Sequence, residues 1–369
     1  MNRNSAVADE RHIYMRSSNN LFAILKYWAA FSVLMLHYVG FWRIFRGPHD
    51  GPEFIFDRVT AFPPVVIFLA ISGFLIAGSL ERSSSIREFC VKRIRRVYVP
   101  LWISIIIYTA VYAVVAREYM DGSIVKWILA SVAGLAYTPD CLKDFASGSA
   151  NGVLWTITVL IELYIISGFL WRYLRRLSPR TWIIIVFPIL IICNVLSEYA
   201  SQNVLPDFGR KILERSFLPY AFFYFIGFFV YLYRDHLGWK TYLISAIAFV
   251  IVILMALYYW PDYGYYTGVV RGGLTAVITV VFGSWSPKTE KSKHLSGFYS
   301  FLSRHDITYE VYLYQWLVFN VMIYLGLFST LGWIELCLIS LVAVTLVAVL
   351  MNAVYRQINS ALMKPANMI

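Results

Sequence analysis

Three stretches of this chain, Val65–Ile76, Leu101–Ala116 and Leu336–Ala353, carry no charged side chain at all. A helix in a soluble protein needs one polar face for water, whereas a helix apolar all round must be buried in protein or solvated by lipid. Burial within one soluble domain cannot supply enough cover here. Of 369 residues, 59% are hydrophobic and only 14% charged, against about a quarter charged in an ordinary soluble chain. The fold class that follows is all-α, a polytopic integral membrane helical bundle, because in lipid every backbone polar group must be satisfied internally.

Apolar runs of helical length fall near 21–42, 62–80, 98–116, 153–172, 181–198, 216–233, 240–260, 267–284, 307–328 and 331–355, giving about ten crossings at roughly 20 residues each. Basic residues gather in the short loops between them: Arg82, Arg87, Lys92, Arg93, Arg95 and Arg96; then Arg172, Arg175, Arg176 and Arg180; then Arg234 to Lys240; then Lys288, Lys291, Lys293 and Arg304. Lys and Arg are retained on the cytoplasmic side, so these loops and both termini are expected there. The net charge of +11 is thereby a consequence of topology, and nucleic acid is not an expected partner. The segment Trp127–Tyr137 is half a span long, and is expected to be re-entrant or interfacial, since a crossing would throw every later basic loop outside. External loops are then expected at Arg43–Ala61, Tyr119–Gly152 and Tyr199–Arg215. Domain boundaries follow as a cytoplasmic tail 1–19 without the apolar core of a signal peptide, a membrane domain 20–356, and a cytoplasmic tail 357–369. Cys90, Cys141, Cys193 and Cys337 are scattered without metal-ligand spacing, and no metal is expected.

Ionisable side chains within spans are expensive and mark function by default. Lys26 and His37 share the first span, on nearly the same face and roughly 16 Å apart along it. Lys26 is either functional or a snorkelling interfacial cation, and His37 either a proton acceptor or a satisfied interhelical hydrogen-bonding residue. Glu162 lies near the middle of the fourth span and must be neutral, paired or facing water. Thr156 and Thr158 beside it are expected to bond back to their own helix. Ser72-Gly73 allows close helix packing or leaves room for a slender substrate. Arg93 and Arg96, at i and i+3 before Pro100, either suit phosphate or belong to an ordinary positive-inside loop. Arg271, at the outer end of the eighth span, is a candidate substrate-site residue or an interfacial cation, and Gln315 is a buried polar candidate in the ninth.

These segments, in this order, resemble the membrane acyltransferase 3 family, bacterial O-acyltransferases of surface glycans. The stretch from Lys26 to His37 resembles the family's Arg/Lys, ten residues, His signature. Phe68 to Ile76 (FLAISGFLI) is similar to FFxxSGFLI, Phe89 to Pro100 to its basic segment ending in proline, and Leu154 to Tyr164 to LWTxxVExxFY. Asp306 to Gln315 resembles DISYxxYLxH more weakly. The likeness covers about residues 20 to 320. It departs at two positions: the family's usual glutamate falls at Leu160, with Glu162 two residues on, and its frequent late histidine is Gln315.

The resemblance implies a multi-pass protein of the bacterial inner membrane using acetyl-CoA or another acyl-CoA as co-substrate. The acceptor would be a sugar hydroxyl of a cell-surface glycan or its lipid-linked precursor, with membrane lipid around the bundle and homo-oligomers left open. It implies His37, Lys26 and Glu162 as catalytic residues, Arg93, Arg96, Ser72 and Gly73 at the CoA, and Trp155, Tyr309, Gln315 and Arg271 at the acceptor. The rival class is a glycan or small-solute transporter or flippase, which about ten spans with intramembrane polar residues suit equally. A receptor or scaffold without chemistry leaves the Lys26–His37 pair unexplained.

Overall fold

A computed structural model of the protein describes residues 21–258, 268–285, 297 and 301–362. It is all helical, 81% helix. The expected tail 1–19, the end of the tail 357–369, and Lys288, Lys291 and Lys293 lie outside the described residues. In chain order the main helices are α1 (Phe22–Arg46), α2 (Asp50–Thr60), α3 (Pro64–Glu81), α4 (Ile86–Arg93), α5 (Val99–Val115), α6 (Ser123–Val132), α7 (Leu154–Leu174), α8 (Phe187–Asn203), α9 (Asp207–Glu214), α10 (Ala221–Leu232), α11 (Trp239–Tyr258), α12 (Val269–Ser284), α13 (Thr308–Tyr324) and α14 (Trp333–Leu362).

A helix meets every apolar run expected to cross. Six helical stretches among the described residues are long and apolar enough to span a bilayer: Phe22–Arg46, Asp50–Glu81, Ile86–Val115, Leu154–Leu174, Pro179–Asn203 and Trp333–Ala361. Ala221–Leu232 and Val269–Ser284 are shorter, and α13 is 17 residues. The half-span at 127–137 is a ten-residue helix, α6, followed by loop. Helix also occupies two segments expected outside the spans. The loop at 43–61 contains α2, whose first turn is capped by His49 accepting from the Gly51 N–H at 3.2 Å. Helix α14 continues past 356 into the expected tail.

Two neighbouring centres organise the bundle. Helix α3 packs along α10, α12, α1 and α7, while α13 packs against α14, α1 and α5. The α3–α10 crossing is backbone on backbone. A Cβ at Gly73 would lie 1.9 Å from the Tyr224 carbonyl oxygen, and one at Gly227 1.9 Å from that of Ala70. Only glycine permits that approach, the small-residue packing membrane helices use where lipid and side chains are equally apolar. Outward faces of α8 and α14 expose Ile189, Ile192, Leu338, Val342 and Leu346, a surface that lipid solvates.

Between α4 and α5 the chain forms one π-helical turn, Ile94–Tyr98. Pro100 lacks an N–H and its ring crowds the carbonyl four residues back, so the turn before it widens. The Val99 N–H bonds Ile94 O instead of Arg95 O, and the freed Arg95 carbonyl accepts from the Tyr355 hydroxyl of α14 at 3.2 Å. This ties the basic segment to the helix across from it.

Candidate active site

The basic segment, α1, α3, α7, α13 and α14 enclose a cavity of about 190 Å³. Its mouth is charged. Lys26 of α1 forms an ion pair with Asp306, in the turn ahead of α13, and Arg96 approaches the same carboxylate at 3.6 Å. Burial pushes the Asp306 carboxyl up, but the Lys26 ammonium and the Arg96 guanidinium outweigh that and hold it at about 2. Arg93, one turn earlier, lines the wall and donates to the Ser79 hydroxyl at 3.2 Å. Arg93, at the end of α4, thus faces the interior of the bundle, while Arg96, in the π turn, reaches into water. Two cations sharing one carboxylate leave the mouth with excess positive charge, suited to a multiply charged anion such as a phosphate ester.

Deeper walls are mostly apolar, with Val65, Leu69, Ile71, Ile157 and Leu160 beside Ser72 and Tyr309. The Tyr309 hydroxyl is spent on the Val97 carbonyl at 3.1 Å. Phe68 and Tyr312 also line the cavity, their rings meeting edge to face at 6.3 Å. Tyr312 is locked by hydrogen bonds to Thr156 and to the Val153 carbonyl.

His37 lies off the cavity wall. Its Nδ1 is 3.3 Å from Gln315 Oε1, and its ring meets Trp316 edge to face at 4.9 Å. Gln315 is fully buried, and its Nε2 donates to the Tyr312 carbonyl at 3.2 Å. That bond fixes which end of the amide faces His37, so Nδ1 carries the proton and Nε2 is left with its lone pair. Trp316 is held in turn by the 139–152 loop, its Nε1 donating to Ser147 Oγ at 3.1 Å and to the Ser149 carbonyl at 3.0 Å. A Tyr108 hydroxyl inserts into the α13 ladder here, donating to Leu313 O at 2.8 Å and accepting from the Leu317 N–H at 3.0 Å. Such an insertion opens the turn that carries Gln315 and Trp316.

The structure therefore divides the residues singled out from sequence. Lys26, Arg93, Arg96, Ser72 and Tyr309 share the cavity, and His37 with Gln315 forms a second polar site beyond it. Four others stand elsewhere. Gly73 is consumed by the contact with α10. Glu162 accepts from the Phe217 N–H at 2.7 Å, ahead of α10, whereas Leu160 is on the cavity wall. Trp155 packs on Tyr220, ring centroids 5.3 Å apart. Arg271 is buried and clamps the Ala61 carbonyl through Nε at 3.1 Å and Nη2 at 2.7 Å. The threonines do more than expected. Each bonds back as expected but adds a second partner: Thr158 reaches the Leu154 carbonyl at 3.5 Å and the Gly134 carbonyl at 2.7 Å, and Thr156 adds Tyr312 to its bond with the Val153 carbonyl. Sequence reasoning passed over Asp306, Glu310 and Asn352, all on the cavity wall. For Glu310 the signal was present: it is an ionisable residue in the same apolar span as Gln315.

Comparison with known proteins points one way. A family model described as an acyltransferase domain matches residues 21–352. The chain is 28% identical over 313 residues to the O-acetyl transferase of Shigella phage Sf6, covering 83% of this chain and 86% of that one. It is 32% identical over 168 residues to Nodulation protein 10 of Rhizobium leguminosarum bv. viciae, covering 42% and 45%. No solved structure matches.

Proposed function

The chain belongs to the acyltransferase 3 family, and from that premise we propose that it transfers a short acyl group, acetyl in the simplest case, from acyl-CoA to a hydroxyl of a surface glycan or its lipid-linked precursor. The observation that carries this reading is the alignment of two sites on one pair of helices. Lys26 meets Asp306 and His37 meets Gln315, so α1 and α13 run in the same direction and present a cationic mouth at one end and a basic imidazole nitrogen at the other. The orientation is that of the basic loops, with the mouth at the cytoplasmic face of the bacterial inner membrane.

Arg93 and Arg96 hold the phosphates of the CoA. Its slender pantetheine arm enters between α3 and α13 past Ser72. The thioester reaches His37 when Phe68 and Tyr312 yield, since both line the cavity and His37 does not. His37 Nε2 then takes the proton of the sugar hydroxyl as its oxygen attacks the thioester carbonyl. The carbon–sulfur bond breaks, and the CoA thiolate recovers the proton from His37. The Gln315 amide stabilises the imidazolium by accepting from Nδ1–H, as a hydrogen-bond acceptor must to keep the base in one tautomer. Lys26 serves by holding Asp306, which shares its charge with Arg96. The relative named an O-acetyl transferase supports oxygen as the acceptor atom.

The test is incubation of the purified protein with radiolabelled acetyl-CoA and a crude glycolipid extract, for the natural sequence and His37→Ala. Label moving to glycolipid, and lost in the variant, is the expected result. Label retained on the protein through His37 instead identifies an acyl-histidine intermediate. Undiminished transfer by His37→Ala would sink the mechanism.

A further inference from the structure

One acidic side chain in the cavity has no place in the scheme above. Glu310 is 3% exposed and belongs to the cavity wall, and among the described residues its Oε2 has no hydrogen-bond partner. A buried carboxyl oxygen left without a donor is a costly arrangement, and in a membrane-embedded bundle such groups persist where something is to be bound. Its neighbour Asn352, from α14, is already engaged: its side-chain nitrogen donates to the Asp306 carbonyl at 3.1 Å while lying against the Glu310 carboxyl. The site is therefore built on two helices and leaves Glu310 Oε2 without a donor.

Position and charge narrow what supplies that donor. Glu310 stands four residues beyond Asp306 (306 to 310), in the first turn of α13 and so just inside the mouth. A cationic ligand would have to pass Lys26, Arg93 and Arg96. An anionic one would gain nothing from a lone carboxyl oxygen. A neutral N–H on a chain thin enough for the passage satisfies both conditions. We infer that Glu310, positioned by Asn352, is a binding station for an amide N–H of the pantetheine arm, reading the donor just below its phosphates. This rests on the acyl-CoA reading and adds to it a contact that recognises the arm rather than the nucleotide.

Equilibrium binding to the purified full chain in detergent tests it, with CoA and with adenosine 3′,5′-bisphosphate, which keeps nucleotide phosphates but has no arm. Glu310→Leu should weaken CoA by about tenfold, the effect of one hydrogen bond to a carboxylate, and leave the bisphosphate unchanged. Equal losses on both ligands, or no loss on CoA, would overturn the station. The natural chain gives a second test that needs no variant. Of two CoA analogues, each with one pantetheine amide N–H replaced by an ester oxygen, one should bind about tenfold more weakly than CoA. If both bind as CoA does, the inference is wrong while the acyl-CoA reading stands. If the natural chain binds neither CoA nor the bisphosphate, the acyl-CoA reading falls and takes the station with it.

Discussion

Lys26 and His37 are eleven residues apart on α1 (26 to 37), and the residues that meet them, Asp306 and Gln315, are nine apart along the chain into α13 (306 to 315). The two pairs nevertheless differ in kind. At the mouth, three cations and a carboxylate stand at the edge of water, the ions are shared, and Arg96 is 64% exposed. At the far end there is no formal charge pair, only an amide, an imidazole and an indole, each bond used to fix an orientation. The difference follows from solvent. Ion pairs near water keep part of their hydration and can trade partners with an incoming anion, whereas deep in a bundle an unpaired charge is too costly and neutral hydrogen bonds hold geometry instead. Under the proposed function, binding and chemistry are separated along one helix pair, with Phe68 and Tyr312 packed near both.

That separation can be broken most sharply at His37. Replacing it by alanine should cut acyl transfer by about 100-fold or more, as loss of a general base does, while CoA binding is kept. Loss of CoA binding in the same variant would show that the two ends are not independent. The next largest effect concerns the mouth alone. Asp306 is held at about 2 against 3.8 for a free carboxyl, so its contribution to stability is complete above about pH 4 and is lost as the pH falls toward 2. A difference of this size is worth about 2 kcal/mol. Thermal unfolding in detergent across pH 5 to 2 should show the loss, and Asp306→Asn should flatten the profile. A variant that keeps the full acid dependence would place its origin elsewhere.

Arg93→Ala and Arg96→Ala should each raise KM for acyl-CoA by about tenfold with kcat little changed, because uniform binding is removed. Added salt should diminish the Arg96 effect more, since that side chain is the more exposed. A fall in kcat at unchanged KM would place these arginines with the chemistry rather than the mouth. The smallest effect is expected from Gln315→Leu. It removes the acceptor for Nδ1–H and lets His37 populate the wrong tautomer, lowering kcat by about threefold to tenfold with KM for acyl-CoA unaffected. Gln315→Glu, which keeps an acceptor oxygen, should retain more activity than Gln315→Leu. Equal activity in the two would remove Gln315 from the positioning of His37.

Membrane residence, helical class and the placement of the apolar helices were written in the chain, because a lipid-solvated helix declares itself by the length and uniformity of its apolar run, whatever it packs against. So was the separation of Lys26 from His37, since helical rise converts sequence distance directly into length. Partners were not. Asp306 for Lys26, Ala61 for Arg271, Phe217 for Glu162 and Tyr224 for Gly73 are 280, 210, 55 and 151 residues away (for the last, 224 − 73), and no local pattern encodes such meetings. Ser72 and Gly73 show the limit most clearly, for adjacent residues on one helix point to the cavity and to a helix crossing. The sequence determined which helices exist and which side chains are too polar for lipid; only the packing of α3, α7, α13 and α14 around one another decided which of those side chains share a cavity, because facing is a property of rotation about each helix axis, and that rotation is set by contacts distant in the chain.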